Sequence, residues 1–136
     1  MPIIRCSDQN NQTLGQFYSD SDDQQTREIG AAMLSIIKLL DTKFKETTIF
    51  GLTSLYRLNL LANDTYKSPW YVSFITDGKN FYIDYLVPES QQPWKHARIS
   101  GEAESFEQAY KYILIAMTKS GGWADNIELH KLLADT

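Results

Sequence analysis

Between Ile29 and Phe44 the apolar residues Ile29, Met33, Ile36, Ile37, Leu40 and Phe44 recur at steps of four, three, one, three and four. That spacing holds them on one stripe of a 3.6-residue period, so the pattern predicts an amphipathic helix from about Asp22 to Lys43. Ser21, with Gln24 three residues on, has the spacing of a capping box. Asp22, Asp23 and Glu28 complement the positive end of a helix dipole. Gly30 interrupts the stripe at a cost of roughly 1 kcal/mol relative to alanine, which marks it as a place of close packing.

Elsewhere the period shortens to two. Ile3 to Tyr18 begins and ends apolar around Ser7–Thr13, and predicts a short strand, a polar loop and a second strand through Leu14, Gln16 and Tyr18. In Thr47 to Leu61, Phe50, Leu52, Tyr56, Leu58 and Leu60 alternate with polar or small residues and favour a strand. Leu55 and Leu61 break that alternation, so a helix through Leu52, Leu55 and Tyr56 stays open. Trp70 to Val87 reads as a hairpin around Asp77-Gly78-Lys79-Asn80, with Gly78 supplying the positive φ of a tight turn. The implied register sets Thr76 against Phe81, Phe74 against Ile83, Val72 against Tyr85 and Trp70 against Val87. Tyr71, Ser73, Ile75, Tyr82, Asp84 and Leu86 then share the opposite face. A further strand over Trp94 to Ala103 turns Trp94, His96, Arg98 and Ser100 to one side, and Ala97 and Ile99 to the other.

The last third returns to the helical period. Ser105 and Gln108 repeat the capping-box spacing, and Phe106, Ala109, Tyr110, Ile113, Ala116 and Met117 form a buried stripe. Gly121-Gly122-Trp123 follows. These glycines come after a helix, not after a strand, and lack the lysine and hydroxyl of a phosphate loop. They are expected to end the helix in left-handed geometry, with Trp123 folding back, onto Met117. Asp125 with Glu128 caps a short terminal helix carrying Ile127, Leu132 and Leu133. The fold class is therefore α+β: an antiparallel β-meander of four to five strands, with one long N-terminal helix and one or two C-terminal helices packed on one face. At 136 residues the chain has the size of a single domain, 1–136.

Charge and cysteine content narrow the partners. A net charge of −4 does not favour nucleic acid, which needs a basic face to displace counterions. Cys6 is the one cysteine, so no internal disulfide forms and a reducing compartment is expected. Neither an apolar leader core nor a stretch near the ~20 apolar residues of a membrane span is visible, so the expectation is a cytoplasmic chain without membrane contact.

Candidate chemistry is sparse. His96, His130 and Cys6 supply neither a zinc set nor a supported nucleophile and base pair. No serine-nucleophile, metalloprotease or nucleotide-loop motif occurs, so neither catalysis, metal nor cofactor is expected. Asp20, Asp22 and Asp23 have a dipole reason to stand at a helix start; beyond that, an acidic patch for a basic protein ranks above a metal site. Tyr71 and Tyr82 would form an interaction surface if their sheet face is bare.

In size, acidity, element order and the stretch WKHARISGEAESFEQAYKYILIAMTKSGGW, the chain resembles bacterial toxin-immunity proteins of contact-dependent growth inhibition systems. The resemblance implies a non-catalytic inhibitor that neutralises a cognate toxin, often a nuclease whose basic cleft meets acidic residues. Asp20, Asp22, Asp23, Glu102 and Glu104 are then the candidates for partner contact, beside Tyr71 and Tyr82. Two other readings stay open: a small enzyme or ligand-binding domain using His96, Arg98, Asp84 and Glu102 in a pocket between sheet and helices, and a homodimer or adaptor pairing through the exposed sheet face.

Overall fold

The computed structural model describes residues 3–9 and 12–136. The elements are β1 (Ile3–Arg5), α1 (Leu14–Ser19), α2 (Gln24–Lys43), β2 (Ile49–Ser54), β3 (Arg57–Leu61), β4 (Val72–Thr76), β5 (Phe81–Leu86), β6 (Arg98–Ala103), α3 (Phe106–Lys119) and α4 (Ile127–Ala134), with short 3-10 turns at Ser7–Gln9 and Glu89–Gln91. They build an α+β domain on one six-stranded sheet, ordered β1 to β6 as in sequence. β2 to β6 are the expected antiparallel meander. β1 runs parallel to β2, an addition that the meander reading lacked. Parallel neighbours need a crossover, and α1 with α2 supplies it.

One core joins the sheet to the helices. Met33, Ile36, Leu40 and Phe44 of the α2 stripe, and Ile113, Leu114 and Met117 of α3, meet Leu58, Leu60, Val72, Phe74 and Ile83 from the sheet. Each such side chain removed from water contributes about 1.5–3 kcal/mol against chain entropy. Gly30 is buried where α2 crosses α1: a Cβ there would fall inside the van der Waals shell of the Tyr18 carbonyl. The close packing expected of this glycine is present.

The N-terminal reading needs correction. Leu14, Gln16 and Tyr18 belong to a helix, α1, and not to a second strand. Thr13 Oγ1 accepts from Gln16 N–H at 3.1 Å while Gln16 Oε1 accepts from Thr13 N–H at 2.9 Å. This reciprocal cap decides the conformation. Buried Leu14 and Tyr18 stand four residues apart, a separation that fits either period over so short a stretch. At α2, Asp23 and not Ser21 is the cap, with Oδ2 accepting from Thr26 N–H at 2.8 Å.

Thr47 to Leu61 folds as two strands, with Leu52 and Tyr56 paired or turning and no helix between them. The alternation breaks because the chain reverses at Leu55-Tyr56, where Leu55 is 93% exposed at φ 55. The next hairpin has the expected register: Val72–Tyr85, Phe74–Ile83 and Thr76–Phe81 are paired. Its flank departs from expectation. Trp70 is exposed and lies before the strand, and β6 starts at Arg98, leaving Trp94 and His96 in the preceding loop. His96 sits at φ 65, which ends the alternation projected from Trp94.

Ser105 caps α3 by accepting from Gln108 N–H, and the Gln108 side chain returns to Glu104 N–H at 2.9 Å. After the C-terminal Ser120, Gly121 takes φ +84, as a helix stop requires. Trp123 is buried, with its ring edge-on to Tyr71 at 5.5 Å. Asn126, and not Asp125, caps α4, accepting from Leu129 N–H at 2.8 Å.

Glu128 has a different task. Its carboxylate accepts from Lys45 N–H at 2.7 Å, from Glu46 N–H, from Thr47 N–H at 3.0 Å and from the Thr47 hydroxyl at 2.7 Å. It thereby ties α4 to the connection entering β2. Burial opposes its ionisation more than any other single influence. The hydrogen bonds from Thr47, Lys45 and Glu46 together outweigh it and hold the carboxyl below its ordinary value.

Candidate functional site

The sheet face turned away from the helices divides in two. Toward β1, Cys6, Leu52 and Leu61 form a small second cluster with Phe50 against it. Ser7 N–H donates to Asp64 Oδ1 at 2.6 Å and Tyr66 N–H to Asp8 Oδ2 at 2.8 Å, so the turn after β1 is tied to the β3–β4 connection beside this cluster. Cys6 is fully buried, and burial pushes its thiol up. Asn59, also fully buried, donates Nδ2–H to Leu52 C=O at 3.1 Å and leaves Oδ1 without a partner among the described residues.

Toward β6 the face is open and charged. Asp84 on β5 receives Arg57 Nη1 of β3 at 3.0 Å and Arg98 Nε of β6 at 2.5 Å. Arg57 Nη1 also donates to Ser73 Oγ at 3.2 Å. A depression of about 530 Å³ is lined here by Arg57, Ile75, Tyr82, Asp84, Ser100 and Glu102. Partly exposed pairs of this kind contribute little to stability, about 0–1 kcal/mol, so their consequence is orientation of the guanidinium groups.

Strand directions also gather the turns. β2 and β4 end, and β3 and β5 begin, at one end of the sheet, where β6 runs into α3. α2 starts at that end, because its far turn reaches β1 through Asp41 and Ile3, while Tyr18 Oη donates to Tyr56 C=O in the β2–β3 turn. The segments 20–23, 55–56, 77–80 and 102–107 therefore lie at this end. They carry Asp20, Asp22, Asp23, Asp77, Glu102, Glu104 and Glu107 against Lys79, with Arg27 in the first turn of α2 and Arg57 at the start of β3 flanking them. All seven acids are exposed. At the other end, segments 44–48, 62–71, 87–97 and 120–126 carry Glu46, Asp64, Glu89 and Asp125 against Lys45, Lys67 and Lys95.

The acids singled out in the sequence thus lie at one end, although Asp23 is engaged as the α2 cap. Asp77 was missed; Oδ1 accepts from Lys79 and Asn80 N–H, and Oδ2 from Tyr82 Oη at 2.9 Å. The Asn80 bond, then those of Lys79 and Tyr82, hold the Asp77 carboxyl below its ordinary range. Asn80 Nδ2 donates to Glu102 Oε1 at 2.9 Å. Tyr82 is on the open face as expected. Tyr71 is not with it, because its ring turns to Trp123 and stands where a Cβ on Gly122 would be 2.6 Å away. Arg98, Asp84 and Glu102 come together on the open face and not between sheet and helices, and His96 does not line their depression. Arg57 also went unnoticed; its signal, a lone charge within an apolar strand, was masked by the unseen reversal at Leu55.

Among the described residues no group of three or more His, Cys, Asp or Glu is placed to hold a metal ion, and no helix is long and apolar enough to cross a membrane. No family model matches the chain, and searches of curated proteins and of solved structures return no significant match.

Proposed function

We propose that the chain is a non-catalytic binding protein, an immunity-type inhibitor that meets a basic toxin domain with its acidic end. The observation that carries this reading is that Asp20, Asp22, Glu102 and Glu104, from connections far apart in sequence, lie at one end of the sheet, whose turn segments hold seven acids and one lysine beside the flanking Arg27 and Arg57. Such a field accelerates encounter with a cationic surface and disfavours wrong partners more than it adds affinity. Tyr82, held by Asp77 at the border of that end, supplies an aromatic contact of the kind enriched at interfaces.

The test is to ask whether the gene immediately upstream encodes a secreted protein with a C-terminal toxic domain, to co-express that domain with this chain, and to measure binding kinetics on the purified pair. The wild type is expected to rescue growth. Asp20→Lys, Asp22→Lys and Glu104→Lys combined should slow association roughly tenfold or more at low salt, with the contrast shrinking as salt is raised. Asp23 is left intact, since losing its cap would cost about 1 kcal/mol and confuse the result. Undiminished association by the triple variant would remove the acidic end from the interface. Failure of the wild type to rescue would remove the inhibitor reading.

A further inference from the structure

The two edges of the sheet are unlike. β1 has three residues, and its Ile3 N–H is taken by Asp41 Oδ1 at 2.8 Å. β6 has six, of which Arg98 to Glu102 are all exposed. Val87 N–H donates to Ala97 C=O at 3.0 Å. Antiparallel alternation then aims the backbone groups of Ala97, Ile99 and Gly101 at β5, and those of Arg98, Ser100 and Glu102 outward. Among the described residues, no group bonds to that outward row. An edge of this length with a free hydrogen-bonding row is a template for another strand.

We propose that β6 pairs antiparallel with β6 of a second copy of this chain, about a two-fold axis at Ser100, so that two six-stranded sheets become one. The self-complementarity of the edge selects this occupant. With Ser100 opposite Ser100, Arg98 faces Glu102 of the second copy and Glu102 faces its Arg98, while all three outward residues form hydrogen-bonded pairs. Shifting the register one way sets Arg98 opposite Glu104, whose N–H is already given to Gln108 Oε1. Shifting it the other way sets Arg98 opposite Ser100 and loses both ion pairs.

The helix-side face of the edge fits the same register. Ile99, 51% exposed, falls opposite Gly101 of the second copy. An open apolar groove of about 160 Å³ lies there, lined by Ile99, Gly101, Tyr112 and Ile115. α3 packs chiefly on β5, so the two copies of α3 lie about 14 Å apart, roughly three strand spacings, and the new seam is left free of helix clash. The two-fold axis sends the acidic ends in opposite directions, and the dimer and the partner contact proposed above share only Glu102, which the triple charge variant leaves in place.

The experiment is mass measurement by sedimentation velocity up to roughly 100 µM, where a micromolar dimer is fully formed. Wild type is expected at twice 15.6 kDa. Ser100→Pro removes the central outward N–H at a position where an edge strand tolerates proline, and should be monomeric with an unchanged circular dichroism spectrum. Arg98→Glu and Glu102→Arg, each alone, set like charges face to face and should be monomeric. Mixed, they restore opposite charges at both pairs and should form the heterodimer. A wild type that stays monomeric overturns the proposal, as does a dimer that survives Ser100→Pro. A mixture of the two charge variants that remains monomeric overturns the register on which it rests.

Discussion

The β1 side and the β6 side of one sheet are built from the same alternation yet finished in opposite ways. At β1 the chain adds a parallel strand, caps the edge with Asp41 and seals the second face with Cys6, Leu52 and Leu61. At β6 it leaves a long exposed strand, and the face beneath it holds Arg57, Asp84 and Arg98 beside Ile75 and Tyr82, with no sealed apolar cluster. A closed side gains stability from packing that excludes water. An open side keeps hydrogen-bonding and charged groups available at small cost to the fold. With the contacts proposed above, the contrast sets stability on one flank and contact on the other, and it is broken if substitutions on the two flanks have equal effects on stability.

The largest effect is expected at the closed flank, at the crossing of α1 and α2. Gly30→Ala improves helix propensity by about 1 kcal/mol but drives a methyl group into the Tyr18 carbonyl, a backbone atom that cannot rotate away. A net loss of about 2–3 kcal/mol, roughly 10 °C in Tm, should appear in thermal melts. A Tm at or above wild type would mean that α1 yields freely, and that the closed flank is not rigid.

Next in size is the clamp on the chain entering β2. Glu128→Gln replaces charge-assisted acceptors to Lys45, Glu46 and Thr47 by weaker ones and should cost about 1–2 kcal/mol near neutral pH. Because the folded carboxyl lies below its ordinary 4.5, its contribution is complete above that pH and is lost as pH falls through the folded value. The gap in Tm between wild type and variant should therefore stay constant above about pH 5 and narrow below pH 4.5. A gap that widens on acidification would show that the carboxylate is not stabilised in the folded state.

How far the sequence foretold these flanks depends on how much each pattern repeats. The α2 stripe spans four turns and the β4–β5 hairpin pairs five residues around a glycine turn, so the buried stripe and the strand register were legible, although α2 starts at Gln24 and Trp70 and Val87 fall outside the strands. Leu14 to Tyr18 is too short for its period to be distinguished, and only the Thr13–Gln16 cap marks it as helix. The β2–β3 reversal carries no glycine, proline or asparagine; Leu55 turns at positive φ against its own preference. Missing that reversal hid Arg57, and with it the pairing to Asp84. Tyr71 escaped for another reason: alternation assigns a face only within a strand, and Tyr71 precedes one, free to follow Trp123. The acids were legible as candidates, whereas their placement at one end depends on strand directions that spacing alone does not give.

The smallest effect belongs to the open flank. Arg98→Met removes one of two guanidinium groups on Asp84 and leaves Arg57 Nη1 at 3.0 Å to satisfy the other carboxylate oxygen. The methionine stem still covers the neighbouring strand, so the packing part of the side chain is kept. Arg98 remains 28% exposed in its side chain and is screened by water, which limits the loss to about 0.5 kcal/mol, within the range of exposed ion pairs. Urea unfolding at protein concentrations low enough to keep both proteins monomeric should show a midpoint close to wild type with the same slope, since the surface exposed on unfolding is then unchanged. A loss as large as that of Gly30→Ala would make the Arg57–Asp84–Arg98 row a structural clasp, and the two flanks would then differ in chemistry but not in purpose.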